Sequence, residues 1–292
     1  MIKIGWVYFK EGENYAISDK AIINATYFKA QNKAQITATK QLKNSTLTYL
    51  RRINKNEYVD ERTGEIKEYA ISEIKSEKTI KRSMKNIEKI LCNNFNGSSN
   101  ERFITLTTAV PTTDIQEMKK LMKNFLKTLK RHFGKDIKYA YTLEMQQTRE
   151  SWHVHMMIKC EAKLNNWTIQ QYWRNGKTRT TKITYKNTYF EIDEEKAIAQ
   201  PDSFIAKQTE YGINAVISYM SKHYTKETLP TGIRAYTVSR NLEKPLKIKM
   251  TYGDFKEECT NKGFNKQSEY TTLIISEDTG NILNRIKKED WY

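Results

Sequence analysis

Between Asp114 and Phe133 apolar residues recur at helical intervals: Ile115, Met118, Leu121, Met122, Phe125, Leu126, Leu129 and Phe133 fall on one stripe. Lys119, Lys120, Lys123, Lys127 and Lys130 lie off it, the pattern of a helix with one buried face. Asp114 suits the N-cap and Gly134 the C-terminal stop. On both sides of this helix the period drops to two. "RFITLTTAV" (102–110) is short, alternating and β-branched, hence a strand. "IKYAYTLEMQ" (137–146) sets Ile137, Tyr139, Tyr141 and Leu143 on one face, with Lys138, Thr142, Glu144 and Gln146 on the other. A turn at "QTRES" leads into "WHVHMMI" (152–158), where Trp152, Val154, Met156 and Ile158 share the apolar face. Strand, helix, strand, turn, strand predicts an α+β arrangement with an antiparallel hairpin.

The flanking patterns are less regular. Residues 1–70 read as short strands and turns, and 78–93 as a helix with Ile80, Met84 and Ile87 on one side. "NNFNGSSNE" breaks that helix. "NNWTIQQYWRNG" has helical character, "TRTTKITYKNTYFEI" reads as a hairpin, and "TEYGINAVISYMSKHYTKE" as a helix. Strand and turn return over 233–252. These shifts divide the chain into a mostly β N-terminal extension (1–75), a functional domain (76–252) and a tail (253–292). The extension would serve DNA binding or the contact of a homodimer.

Composition sharpens the picture mainly through charge. Of 292 residues, 50 are Lys or Arg and 34 are Asp or Glu, a formal net charge of +16. Residues 101–250 carry 26 basic and 15 acidic side chains, whereas 251–292 carry 6 and 8. A basic body favours a polyanion such as nucleic acid, with a solvated lysine face as the alternative. Cys92, Cys160 and Cys259 are far apart without a CxxC pair, which points to reduced thiols in a cytoplasm. No long apolar run predicts a signal peptide or a membrane span, so a cytoplasmic protein without a membrane partner is expected.

The candidate chemistry sits on the hairpin. Residues i and i+2 of a strand share a face, so His153 and His155 project together. Glu144, on the polar face of the preceding strand, returns beside them across the short turn. Two imidazoles and one carboxylate leave coordination positions open, a set suited to Mg²⁺ or Mn²⁺ in phosphoryl chemistry. On the helix of 209–227, Lys222, His223 and Lys226 fall within about 60° of Tyr219 at 100° per residue. Ile213, Val216, Ile217, Met220 and Tyr224 fall on the adjoining apolar side. A phenol has a pKa near ~10 and is a poor nucleophile alone. A neighbouring ammonium group and a divalent cation would activate it toward a phosphate.

In these motifs the chain resembles the HUH endonucleases, specifically the rolling-circle replication initiators (Rep) of small plasmids and single-stranded DNA phages. "FITLTT" (103–108) is similar to their first motif, "LEMQQTRESWHVH" (143–155) to the second, and "YMSK" (219–222) to the third. "GIRAYTVSRNLEKP" (232–245) is similar to a stretch that often follows. The resemblance spans roughly residues 80–245. It implies a central antiparallel sheet with flanking helices, RRM-related, with His153 and His155 on an inner strand. It also implies Tyr219 as nucleophile, Lys222 as its assistant, and Glu144, His153 and His155 as holders of Mg²⁺ or Mn²⁺. Arg149, His223 and Lys226 are the candidate DNA contacts. The implied activity is nicking and joining of single-stranded or stem-loop origin DNA through a 5′-phosphotyrosine.

Many phage-type relatives place a second tyrosine one turn after the first, where this chain has His223, so a single nucleophile is expected. "WRNGKT" lacks the upstream glycine of a Walker loop, with Gln171 in its place, so strand separation would fall to a host helicase. The alternatives are an HUH transposase or relaxase, and a non-catalytic nucleic-acid-binding protein.

Overall fold

The structure is a computed structural model. It describes residues 7–11, 15–41, 50–54, 56–68, 77–146, 150–162, 164–184, 210–222, 233–276 and 282–292. In chain order these form β1 (Val7–Glu11), β2 (Ile22–Phe28), β3 (Lys33–Gln41), β4 (Leu50–Arg52), β5 (Glu57–Asp60), β6 (Ile66–Glu68) and α1 (Glu77–Asn94). There follow β7 (Glu101–Leu106), α2 (Ile115–Phe133), β8 (Lys138–Gln146), β9 (Ser151–Lys159), α3 (Asn166–Tyr172), β10 (Thr178–Thr184) and β11 (Glu210–Gly212). The last are α4 (Ile213–Lys222), β12 (Tyr236–Val238), β13 (Leu246–Thr251), α5 (Tyr252–Asn261), β14 (Lys266–Ser276) and β15 (Ile282–Trp291). The fold class is α+β.

The chain forms two compact units, and their borders differ from the three expected from sequence. One unit joins Met1–Phe28, Asn32–Ser72 and Pro245–Tyr292; the other holds Lys29–Gln31 and Glu73–Lys244. Residues 253–292 are therefore no tail: they supply a helix and two of the longest strands of the first unit. Residues 246–251, expected in the functional domain, pair instead with β2.

In the first unit the strand order is β1-β14-β15-β3-β2-β13, antiparallel throughout. Ile23, Ala25, Ala34, Ile36 and Ala38 point to one face, where Tyr252, Phe255 and Cys259 of α5 and Phe264 cover them. That face also buries charge. Lys287 and Glu289, two apart on β15, are almost fully enclosed. Lys287 Nζ lies 3.2 Å from Glu269 and 3.9 Å from Glu289, and donates to the Tyr15 carbonyl at 2.8 Å. Glu289 accepts from the Tyr252 hydroxyl at 3.0 Å and from the Trp291 indole at 3.1 Å. A separate three-stranded sheet, β4-β5-β6, turns at Asp60, whose carboxylate takes the guanidinium of Arg62.

The second unit carries 31 of the 50 basic residues and 18 of the 34 acidic ones, so it holds most of the positive charge. Its strand order is β11-β10-β7-β9-β8-β12, antiparallel except for the parallel pair β10–β11. The apolar stripe of α2 forms as expected, with Asp114 accepting from Gln116 N at 2.8 Å and Gly134 at φ 93° beyond its end. This helix lies on the face of Tyr139 and Trp152: Lys130 Nζ sits 5.3 Å from the Tyr139 ring centroid, and the Trp152 indole donates to the Thr113 carbonyl. Phe125 of α2 meets Trp173, after α3, edge to face at 5.5 Å. On the opposite face α1 packs against α4. "TRTTKITYKNTYFEI" contributes β10, which pairs with β7 and β11; the return strand expected from its remaining residues lies outside the described ones.

Gly176 fixes where β10 begins. A Cβ there would stand 2.1 Å from the Thr107 carbonyl oxygen and 2.6 Å from the Ala109 nitrogen, both backbone atoms. The close approach is held by Thr107 N donating to the Lys177 carbonyl and Ala109 N to that of Asn175, while the Trp173 indole donates to Thr107 O. No side-chain rotation relieves a clash with backbone. Gly176→Ala is expected to lower stability by about 2–3 kcal/mol, the upper range for overpacking. Denaturant unfolding measures it, and a cost below ~0.5 kcal/mol would show that the approach is not required.

Cys92, Cys160 and Cys259 are buried, and none of them forms a disulfide. No described helix is long and apolar enough to cross a membrane.

Candidate active site

The paired strands β8 and β9 set the centre. Glu144 stands opposite His153 and Thr142 opposite His155, so the carboxylate and both imidazoles share one face. Contacts run along the diagonals, within reach for long side chains. His155 Nε2 lies 2.6 Å from Glu144 Oε2, and His153 Nε2 lies 2.5 Å from Gln146 Oε1. On the other side of β9, Thr105 of β7 is opposite His155, and its hydroxyl is 3.3 Å from His155 Nδ1. Both nitrogens of this buried ring are therefore engaged, which fixes its orientation.

Helix α4 brings the phenol. The Tyr219 hydroxyl is 3.3 Å from His155 Nε2, the atom that also faces Glu144. The Tyr219 and His155 rings meet edge to face at 5.0 Å. Phe103 stacks on His155 at 5.8 Å and meets Tyr219 edge-on at 5.9 Å. A carboxylate, an imidazole and a phenol thus converge beside an apolar wall.

Of the residues singled out from sequence, Glu144, His155 and Tyr219 come together, and His153 lies on the same face, bonded to Gln146. Lys222 ends α4 one turn after Tyr219; its side chain lies outside the described residues, as do Arg149, His223, Tyr224 and Lys226. Among the described residues no group of three or more His, Cys, Asp or Glu side chains stands in a metal-holding arrangement. In this arrangement the Nε2 of His153 faces the amide oxygen of Gln146. The donor chemistry still suits a divalent cation: two imidazoles, a carboxylate and an amide oxygen on adjacent strands, with Nε2 of each histidine turned toward an oxygen.

Sequence reading misses Gln146, Phe103 and Thr105 as parts of the site. Alternation places Gln146 on the right face, but a periodic pattern does not tell which partner an imidazole chooses.

Residues 101–228 match a family model described as Replication-associated protein ORF2. Neither curated proteins nor solved structures gave a match.

Proposed function

We propose that this protein initiates DNA replication by nicking and rejoining one strand of origin DNA, with Tyr219 as the nucleophile of an HUH-type site. The observation that carries the reading is the Tyr219 hydroxyl, 3.3 Å from the imidazole that Glu144 also engages. The replication-associated family model over 101–228, which spans all four of Glu144, His153, His155 and Tyr219, supports it. So does the concentration of positive charge in the same unit.

Attack by the Tyr219 oxygen on phosphorus forms a phosphotyrosine and breaks the bond to the 3′ oxygen, leaving a 3′-hydroxyl strand. The phenol gives its proton to water, and the departing oxygen takes one from water. The phosphodiester energy is kept in the phosphotyrosine, so a 3′-hydroxyl attacking it rejoins the strand. Glu144, His153 and His155 would hold Mg²⁺ or Mn²⁺, which when bound would supply positive charge to polarise the phosphate. Thr105 and Phe103 hold His155 in place, and Lys222 is assigned to stabilise the phenolate. A host helicase would open the duplex.

The test is incubation of labelled single-stranded and stem-loop origin oligonucleotides with the protein and Mn²⁺. The expected product is a protein–DNA adduct that survives denaturation. Removing the metal with a chelator, or introducing His153→Ala, is expected to cut adduct formation by at least about 100-fold without unfolding the protein. Full activity of His153→Ala at low Mn²⁺ would remove the metal from the proposal.

A further inference from the structure

The pairing of β10 with β7 brings two cations onto the face of the candidate site. Arg179 is opposite Thr105, Thr105 is opposite His155, and His155 is opposite Thr142. These four form one rung across β10, β7, β9 and β8. The register continued by one step aligns Lys177, Thr107, His153 and Glu144 as the next rung; Thr107 N donates to the Lys177 carbonyl at 3.0 Å. Alternation then places all eight on one face. The rung on the other side of the first, Thr181, Phe103, Met157 and Ala140, is buried throughout. Toward the end of the sheet the same face opens: Arg179 is half-buried and Lys177 exposed.

We infer that these two rungs are a shelf for single-stranded DNA, on which Arg179 and Lys177 bind the phosphates flanking the scissile one. The assignment rests on the reading of Tyr219 as a DNA nucleophile. Two strand spacings, about 10 Å, separate the backbones of Arg179 and His155. A strand laid along the rungs meets cations at β10, hydroxyls at β7 and the reacting groups at β9 and β8. No acidic residue stands on the β10 or β7 positions of either rung. Arg suits this place because its planar fork grips a phosphate in two bonds. The shelf is also built firmly: Gly176 lets the backbone before Lys177 press on β7, and the fully buried Trp173 anchors Thr107. Lys182 lies on the same strand but on the opposite face, opposite Arg102.

The experiment uses the full chain carrying Tyr219→Phe, a chelator, and a fluorescent oligothymidylate, so that binding is read without cleavage. Affinity is followed against salt by anisotropy. Each phosphate contact removed lowers the log–log slope by roughly 0.7. Arg179→Gln with Lys177→Gln is expected to lower it by about 1.4 and weaken binding at least tenfold at low salt, with thermal unfolding unchanged. Arg179→Lys should keep the slope, and Lys182→Gln should leave it at the parent value. A parent-like slope in the double variant, or an equal loss in Lys182→Gln, overturns the assignment while the Tyr219 reading stands. No binding by the parent overturns both. Loss of slope in the double variant, with no adduct ever formed by the protein that keeps Tyr219, leaves Arg179 and Lys177 as phosphate contacts but overturns their placement beside a scissile phosphate together with the nicking reading.

Discussion

Tyr219→Phe is expected to eliminate the covalent protein–DNA adduct, a loss of at least about a thousandfold, while leaving fold and DNA binding nearly intact. The substitution deletes one hydroxyl and no ring. The edge-to-face contacts of that ring with His155 and Phe103 survive, and the hydroxyl's 3.3 Å approach to His155 Nε2 is long for a hydrogen bond. A stability change within about 1 kcal/mol follows. Tyr224→Phe is the control. Helical spacing continued along the sequence would turn it about 140° from Tyr219, so nicking should persist. Gel detection of the adduct reads the first outcome, and peptide mapping identifies the modified residue. DNA found on Tyr224, or an active Tyr219→Phe enzyme, would overturn the assignment.

The second large effect belongs to the other unit. Lys287→Met is expected to destabilise the first unit by about 3–5 kcal/mol, because it removes the cation from a buried group of charges. Lys287 and Glu289 are both almost fully enclosed, and Lys266, the other cation near Glu289, is 3.9 Å away and partly exposed. Glu289 would keep its hydrogen bonds from Tyr252 and Trp291 but lose its enclosed counter-charge. Adding Glu289→Gln should recover part of the stability, as coupled sites do. The pH dependence has a definite sign. Lys266 and then Lys287 hold the Glu269 carboxyl below its ordinary range. A carboxylate depressed in the folded state stabilises above its unfolded pKa of about 4.3, and that contribution disappears as pH falls through the folded value. Wild-type stability should therefore decline on acidification below about pH 5, and less steeply in Lys287→Met. Urea unfolding at several pH values measures both, and an unchanged midpoint in Lys287→Met would refute the buried pair as a support.

The same buried pair explains why the first unit is hard to read from sequence. Along β15 the positions facing the core include Lys287 and Glu289, so the apolar–polar alternation that announces a strand is missing, and 253–292 reads as a tail. The opposite holds for β8, β9 and α2. Their apolar faces are continuous, and the alternation alone places Glu144, His153 and His155 together. Tyr219 follows from helical spacing. Long-range register is beyond such patterns. Arg179 stands beside Thr105 only because strands more than seventy residues apart align, and no local pattern reports that. Nor does sequence say that Gln146 meets the Nε2 of His153.

The threading of the chain has a consequence for its biosynthesis. All residues of the second unit except 29–31 are contiguous, Glu73–Lys244, so this part is translated before β13, β14 and β15. The first unit must wait. Its β15 is the strand that joins β14 to β3, so β1, β2 and β3 have no complete sheet until β15 is made. A chain halted near residue 250 would thus carry Glu144, His153, His155 and Tyr219 together with an N-terminal segment still missing half of its strand partners. Nascent β2 and β3 then present an unpaired edge for that interval, the stage at which a translating chain is most exposed to chaperones and to mispairing with its neighbours.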